Sequence, residues 1–282
     1  MSAVSSAPPR RARWPLHSLI YAGIAYIVAT IFLLPYIEMM ISAVRPADQM
    51  LDRDFLPTRF DVRSFFDIWS TGFGNNLRIS LEVAGGSTVL VLLVAIPAAY
   101  YTARQRFRGR GLFMLLVLVT QMFQPTAMLV GIYREFLSFG MIDTVSSLIL
   151  VNAGFNMAFA VWILNAYVSA IPQELEEAAF IDGSTRLGAL FRVTLPLALP
   201  GIVTALIFTF IAAWNEFIVA LTLTTSSTTE PLTVTLNSYI GQYSVDWRHL
   251  FAGSVIATIP VIILFALIEG KVVGGLTAGS IK

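Results

Sequence analysis

Residues 173–196 read QELEEAAFIDGSTRLGALFRVTLP, a polar and amphipathic stretch between two long apolar runs. Gln173 to Ile181 are mostly good helix formers. Glu174, Glu176 and Glu177 stand near the start, where acids complement the helix dipole. Pro172 precedes them, at a helix entry that tolerates proline. Asp182-Gly183-Ser184 is a turn signal: Gly183 accepts a positive φ, and Asp182 or Ser184 can cap the helix that follows. Thr185 to Val193 then presents Leu187, Leu190 and Phe191 at helical spacing. Pro196 and Pro200 lead into the next apolar run. The stretch predicts helix, tight turn, helix, laid along a membrane surface with apolar side chains toward the aqueous side. An amphipathic connector resting on lipid headgroups and a segment docking on a protein both fit this pattern. The acids of the first helix favour the protein, because lipid binding calls for a basic polar face.

The flanking runs, 145–170 and 199–223, each exceed the roughly 20 residues that a spanning helix needs. Four more runs qualify, at 16–41, 77–103, 112–133 and 250–268. None shows the period-two alternation of an outer-membrane barrel. The fold class is therefore all-α: a polytopic membrane protein with six transmembrane helices. Composition agrees. The 282 residues are 56% hydrophobic and 12% charged, with a mean hydropathy of +0.76. A soluble domain carries about 25% charged residues, so this chain has too few to cover a water-facing surface. A net charge of +1 leaves no basic face for nucleic acid. The chain has no cysteine, and His17 and His249 lie far apart, so no metal-binding spacing is present.

Arg10, Arg11 and Arg13 precede the first run. Arg104, Arg106, Arg108 and Arg110 fill the loop after the second, Arg186 and Arg192 follow the fourth, and Lys271 and Lys282 close the chain. With six spans all of these lie on one side, so the positive-inside rule places both termini in the cytoplasm. Most loop acids fall on the other side, in the segments 44–76 and 224–249 and at Glu135 and Asp143. The organisation expected is a cytoplasmic tail over 1–15, a transmembrane domain over 16–270 containing the cytoplasmic loop 171–196, and a cytoplasmic tail over 271–282. The Arg10-Arg11 pair could mimic a twin-arginine signal. The apolar run behind it is too long for a signal core and lacks an A-x-A site, so a retained helix is expected.

Several polar residues interrupt the spans. Gln121 and Gln124 share one face of the third, and Asn152 and Asn156 lie four apart in the fourth. Such amides either line a polar cavity or hydrogen-bond neighbouring helices. Asn215 and Glu216 lie in the fifth span. Glu216 is about 25 Å along it from Leu199 at 1.5 Å per residue, near its outer end. An intramembrane acid is a functional candidate by default, with an inter-helix hydrogen bond as the plainer reading. Pro97, Pro125 and Pro260 predict kinks in spans two, three and six. In the external segment, Tyr239, Tyr243 and Trp247 either stack on a solute or anchor a helix at the interface. The chain has no HExxH, GxSxG or paired deep carboxylates, hence no catalytic residue. It has no phosphate-cradling G-x-x-x-x-G-K-[ST] loop, which Gly270-Lys271-Val272 does not complete.

Glu177-Ala178-Ala179, Gly183, Val193 and Leu195-Pro196, at these spacings, resemble the EAA loop of bacterial ABC importer permeases, with Val193 for the usual isoleucine. Asp182 before the glycine fits too. Trp214-Asn215-Glu216-Phe217 is similar to the WNEF segment of carbohydrate-importer permeases, and the ending GLTAGSIK at 275–282 resembles their GLTAGAVK. The likeness runs from about residue 75 to the end. It implies a type I ABC importer fold and the shorter, six-span permease of a maltose-type sugar importer in the bacterial cytoplasmic (inner) membrane. The implied partners are a second homologous permease, two copies of an ABC ATPase, an extracytoplasmic sugar-binding protein and the lipid bilayer. ATP and Mg would sit on the ATPase subunits, with no cofactor in this chain. The implied coupling residues are Glu177, Ala178, Ala179, Asp182, Gly183, Leu187, Phe191, Leu195 and Pro196. In such importers the partner permease supplies most sugar contacts. A permease for another solute, such as a glycerol phosphodiester, phosphate or an amino acid, stays open. So does a stand-alone secondary transporter, for which Glu216 would be the deep acid; the inverted repeat of many such transporters is not visible.

Overall fold

The computed structural model describes residues 16–50 and 54–277, with side chains over 20–50 and 54–268. The expected tail at 1–15 lies outside the described residues, as does 278–282 of the tail at the other end. Among the described residues the architecture is all helical, with one isolated antiparallel bridge between Ile240 and Val245. In chain order the helices are α1 (Leu16–Ala43), α2 (Ser64–Asp67), α3 (Phe73–Arg104), α4 (Arg110–Thr120), α5 (Pro125–Ser138) and α6 (Val145–Ala170). They continue with α7 (Glu174–Ile181), α8 (Arg186–Ala189), α9 (Leu195–Leu197), α10 (Leu199–Trp214), α11 (Ile218–Leu223), α12 (Leu232–Ser238) and α13 (Trp247–Thr277).

Four of these, α1, α3, α6 and α13, are long and apolar enough to cross a membrane unaided. Two bent pairs bring the number to six. The bounds of α6 coincide with the predicted run: Thr144 caps it by accepting the Ser147 N–H at 3.2 Å, and it stops two residues before Pro172. Helix α13 runs past the predicted boundary at 270.

Two predicted spans are broken. The run 112–133 divides at residues 121–124, where α4 and α5 bend by 95°. Gln124 is extended and Pro125 opens α5. Proline lacks the N–H and disfavours helix in the residue before it, so the expected kink is a full break. The run 199–223 divides into α10 and α11 at residues 215–217. Before it, the segment Arg186–Leu197 meets α10 at 75°. By contrast, α3 and α13 continue through Pro97 and Pro260.

Helices α3 and α6 form the centre, with α10 against both. Small residues allow the approach. A Cβ on Gly86 would stand 2.7 Å from Ile149, and one on Gly201 would stand 2.4 Å from the Tyr167 ring. Ser87 donates to the Ile149 carbonyl at 3.2 Å. In lipid, apolar burial gives helices no reason to associate, so close packing of this kind does the work. One buried layer joins Val91, Ala95, Ala99, Ala160, Leu164 and Ala205. A second, toward the other end, joins Ile79, Val83, Leu148, Val219 and Leu223. Helix α1 lies along α13 with its apolar side chains exposed, as a lipid-facing helix requires.

Candidate functional site

The segment between α6 and α10 forms a folded unit. Helix α7 ends in a paired turn: the Ser184 N–H reaches the Ala179 carbonyl at 2.9 Å, and the Gly183 N–H reaches Phe180 at 3.0 Å. This closure needs a left-handed residue after the helix, and Gly183 supplies φ = +85°. Thr185, not Asp182 or Ser184, caps the next helix, accepting the Gly188 N–H at 3.1 Å. The second helix is shorter than predicted. After Ala189 the chain widens into a π turn over Leu190–Thr194 before α9.

The buried residue of α7 is Glu176. Its carboxylate accepts from Arg104 Nε at 2.7 Å, Thr194 Oγ1 at 2.7 Å and Tyr100 Oη at 3.0 Å. Arg104 also donates Nη1 to the Ile171 carbonyl at 3.0 Å. Both charged side chains are only 6% exposed. Charge-assisted bonds of this length are among the stronger ones. Removing one partner of a buried pair typically costs about 3–5 kcal/mol, because the other charge stays unpaired. Two adjacent glutamates therefore divide the work: Glu176 holds the loop to the end of α3, and Glu177 is exposed. Ala178, Asp182, Gly183 and Pro196 are exposed with it, Ala179 and Leu195 half-buried. The apolar side chains stand out into solvent, Ile181 at 87%, Leu187 at 68% and Phe191 at 65% exposure.

Sequence reasoning placed Glu176 only as a dipole-favouring acid, and Arg104 only as one of four orientation arginines. Tyr100 and Thr194 drew no attention. One signal was available: Arg104 closes the apolar run itself, while Arg106, Arg108 and Arg110 follow in the loop.

The polar span residues sit in three places. Gln121 and Gln124 do not share a helix face. They flank the break between α4 and α5, one ending α4 and the other opening α5, and both are exposed. Asn152 is buried and Asn156 half-buried in α6; each donates its amide to the carbonyl four residues earlier, at 2.9 and 2.8 Å. Asn215 ends α10 and is exposed. Glu216 turns its carboxylate onto the free start of α11, accepting from Val219 N–H at 2.8 Å and Ala220 N–H at 3.0 Å. Those donors have no intrahelical partner, and an anion there also meets the helix dipole. A cleft of about 490 Å³ opens between the α4–α5 break and α6, lined by apolar groups such as Phe123, Met128, Phe136 and Phe155.

At the other end of the helix bundle, residues 224–231 are tightly held. Asp143, at a left-handed φ of 61°, accepts from Thr225 N–H at 3.0 Å, Ser226 N–H at 3.1 Å and the Thr229 hydroxyl. The Thr229 and Thr225 bonds hold its carboxyl below the ordinary 3.8. Asn75 and Asn76 donate to the carbonyls of Thr228, Ser227 and Glu230. Of the three aromatics, Tyr239 bonds Thr71 and leans on His249, Trp247 stacks on Phe251, and Tyr243 is 92% exposed.

Residues 92–271 match the family model described as "Binding-protein-dependent transport system inner membrane component". A probable ABC transporter permease protein, YurM of Bacillus subtilis (strain 168), is 32% identical, with 91% of this chain and 85% of that protein aligned. The trehalose/maltose transport system permease protein MalG of Thermococcus litoralis is 32% identical over 92% of this chain and 94% of its own length. Among solved structures, a chain of a bacterial ABC transporter involved in the import of the acidic polysaccharide alginate superposes with a TM-score of 0.78. It is 23% identical and covers 94% of this chain and 99% of its own. At that identity the likeness concerns the fold.

Proposed function

The chain belongs to the binding-protein-dependent transport system inner membrane components, and on that premise we propose that it is the sugar-conducting permease subunit of an ATP-driven importer. It forms half of a translocation path with a second permease. A sugar-binding protein delivers the solute from outside, and two copies of a separate ATPase carry ATP and Mg. It lies in the bacterial inner membrane with both termini cytoplasmic. The observation that carries this reading is the loop between α6 and α10. It is a folded unit, braced from within by Glu176, that presents Glu177 and the apolar Ile181, Leu187 and Phe191 to the cytoplasm. A flexible connector would need no internal brace, and a lipid-bound one would not lead with acids.

In the mechanism proposed, this loop seats in a cleft of one ATPase subunit. Gly183 makes the turn, Ala178 and Ala179 permit close approach, and Glu177 meets a basic group. Closure of the ATPase pair moves the loop and rocks the spans from inward- to outward-facing. The energy comes from contacts that differ between the two states, since a contact of equal strength in both shifts nothing. The sugar assignment rests on relatives named as permeases for trehalose, trehalose/maltose and diacetylchitobiose. The six polar span residues, Gln121, Gln124, Asn152, Asn156, Asn215 and Glu216, remain the candidates for the path. The exposed amides at the α4–α5 break are the best placed to meet solute.

The test is affinity purification of the tagged chain from native membranes in mild detergent, followed by mass spectrometry and ligand binding by any recovered binding protein. Recovery of an ATPase, a second permease and a protein that binds a sugar is the expected result. Recovery of the chain alone, under conditions that preserve known complexes, refutes the importer reading. A binding protein that takes a phosphodiester or amino acid and no sugar refutes the substrate class.

A further inference from the structure

We infer that Glu176 is the positioning residue that locks the cytoplasmic loop to α3, so that the loop and the central helix of the bundle move as one body. The inference rests on the loop's proposed role as the ATPase contact, and it concerns how motion leaves the loop.

Two covalent routes connect the loop to the bundle, and both are soft. Toward α6, the chain passes through Ile171 in an extended conformation, next to Pro172. Toward α10, it passes through the π turn Leu190–Thr194 and then the 75° bend before Leu199. A push on α7 transmitted through either would be absorbed as hinge rotation. Helices meet stiffly only where side chains lock them.

The cluster at Glu176 provides that lock. It gathers α3 through Tyr100 and Arg104, α7 through Glu176, the π turn through Thr194, and the α6 exit through the bond from Arg104 to Ile171. The α6 exit, α7 and the π turn thus converge on one carboxylate–guanidinium pair. Both groups are nearly fully buried, where water cannot replace a stretched bond and the local dielectric strengthens each one. Arg104 is the last residue of α3, and α3 packs on α6 and α10. A displacement of the loop therefore reaches the centre of the bundle directly. Glu177, one residue on, is exposed and free to serve the partner.

Because the chain has no cysteine, paired spin labels can be placed in it without background from its own thiols, with any exposed partner cysteines replaced first. Labels at Glu174→Cys on α7 and Leu81→Cys on α3 stand roughly 35 Å apart, judged from the helical rise along α3, within range of pulsed dipolar spectroscopy. The assembled importer is measured without nucleotide and with ATP trapped, beside the number of ATP hydrolysed per sugar imported in proteoliposomes. In the parent complex the distance should be the same in both states. Glu176→Gln should broaden it and raise the ATP-to-sugar ratio about fivefold, a loss of coupling within the range known for such networks. Glu176→Gln leaves Arg104 buried and unpaired, so the neutral pair Glu176→Gln with Arg104→Gln serves as the second variant, relieving that cost. It should assemble normally while the distance stays broad and the ratio stays raised.

The inference is overturned if ATP changes the parent distance. It is equally overturned if Glu176→Gln keeps the parent width and ratio, or if the neutral pair restores both, which would leave the cluster a role in folding alone. Failure of the parent chain to recruit any ATPase refutes the functional reading instead, and is seen before any variant is made.

Discussion

Replacing Gly183 with alanine isolates the backbone turn of the loop between α6 and α10. A Cβ at this position would meet nothing within 4 Å, so no clash contributes and the whole cost is conformational. Holding a residue with a Cβ in the left-handed region costs about 1–2 kcal/mol. A free loop relieves that strain by fraying the end of α7, and a docked loop cannot. The cost is therefore drawn from docking, and ATPase affinity should weaken by up to about 5–30-fold, at 1.36 kcal/mol for each factor of ten. Asparagine tolerates this region better than alanine, so Gly183→Asn should fall between the parent and Gly183→Ala. Proline should be worst, because its φ near −65° excludes the turn and it loses the N–H that bonds Phe180. The assay is titration of detergent-purified permease with labelled ATPase, with sugar uptake measured in parallel. A graded order of Gly, Asn, Ala, Pro is expected, with membrane insertion intact throughout. Equal affinity for Gly183→Ala and the parent, or a loss in Ala as complete as in Pro, refutes the claim that a left-handed turn sets the docking geometry.

Four further outcomes follow. Glu177→Lys reverses an exposed charge on the proposed docking face and should reduce ATPase recovery several-fold, while unchanged recovery argues against a basic partner group there. Asp143→Asn keeps a residue that tolerates φ = 61° and removes only the charge. Amide exchange in residues 224–231 should quicken at pH 7, and an unaltered rate refutes the anchoring role. The Asp143 carboxyl lies below its ordinary 3.8 because the Thr229 and Thr225 bonds favour the charged form. Its contribution is thus present in full above that value and is lost as pH falls through the lower folded value. Exchange in this loop should accordingly be flat from pH 8 to 5, once corrected for intrinsic rate, and should rise only in stronger acid. Gly201→Ala would place a methyl 2.4 Å from the Tyr167 ring and should cost about 1–3 kcal/mol as overpacking. An unchanged melting temperature in detergent would show that α6 and α10 separate more easily than the structure implies.

The spans were legible because a bilayer imposes one demand, about 20 apolar residues in a row, and a local sum detects it. The predicted run 145–170 matches α6 at both ends for this reason. The breaks at residues 121–124 and 215–217 were not legible in the same sum. Polar residues do stand at both breaks, Gln121 and Gln124 at one and Asn215 and Glu216 at the other, but a sum over about 20 residues absorbs them, and a lone polar side chain is equally compatible with an unbroken span. The turn at Gly183 could be read, since only the local backbone decides it. The residue capping the next helix was misplaced, to Asp182 or Ser184 instead of Thr185, because all three can cap and the choice depends on where α8 leaves.

The sequence by itself determined that the chain spans a membrane, that a helix–turn–helix loop interrupts it on the basic side, and that Glu177, Gly183 and Leu195-Pro196 stand at the spacing of a known importer motif. Each of these is a property of neighbours along the chain. Only the tertiary structure decided between Glu176 and Glu177. The two are adjacent and chemically identical, and they differ because one meets an arginine 72 residues earlier and a threonine 18 residues later. It also decided that Glu216 serves the start of α11, which depended on α10 ending at Trp214. Burying a carboxylate requires partners gathered from several elements at once, and that requirement is met in space, where the order of residues does not record it.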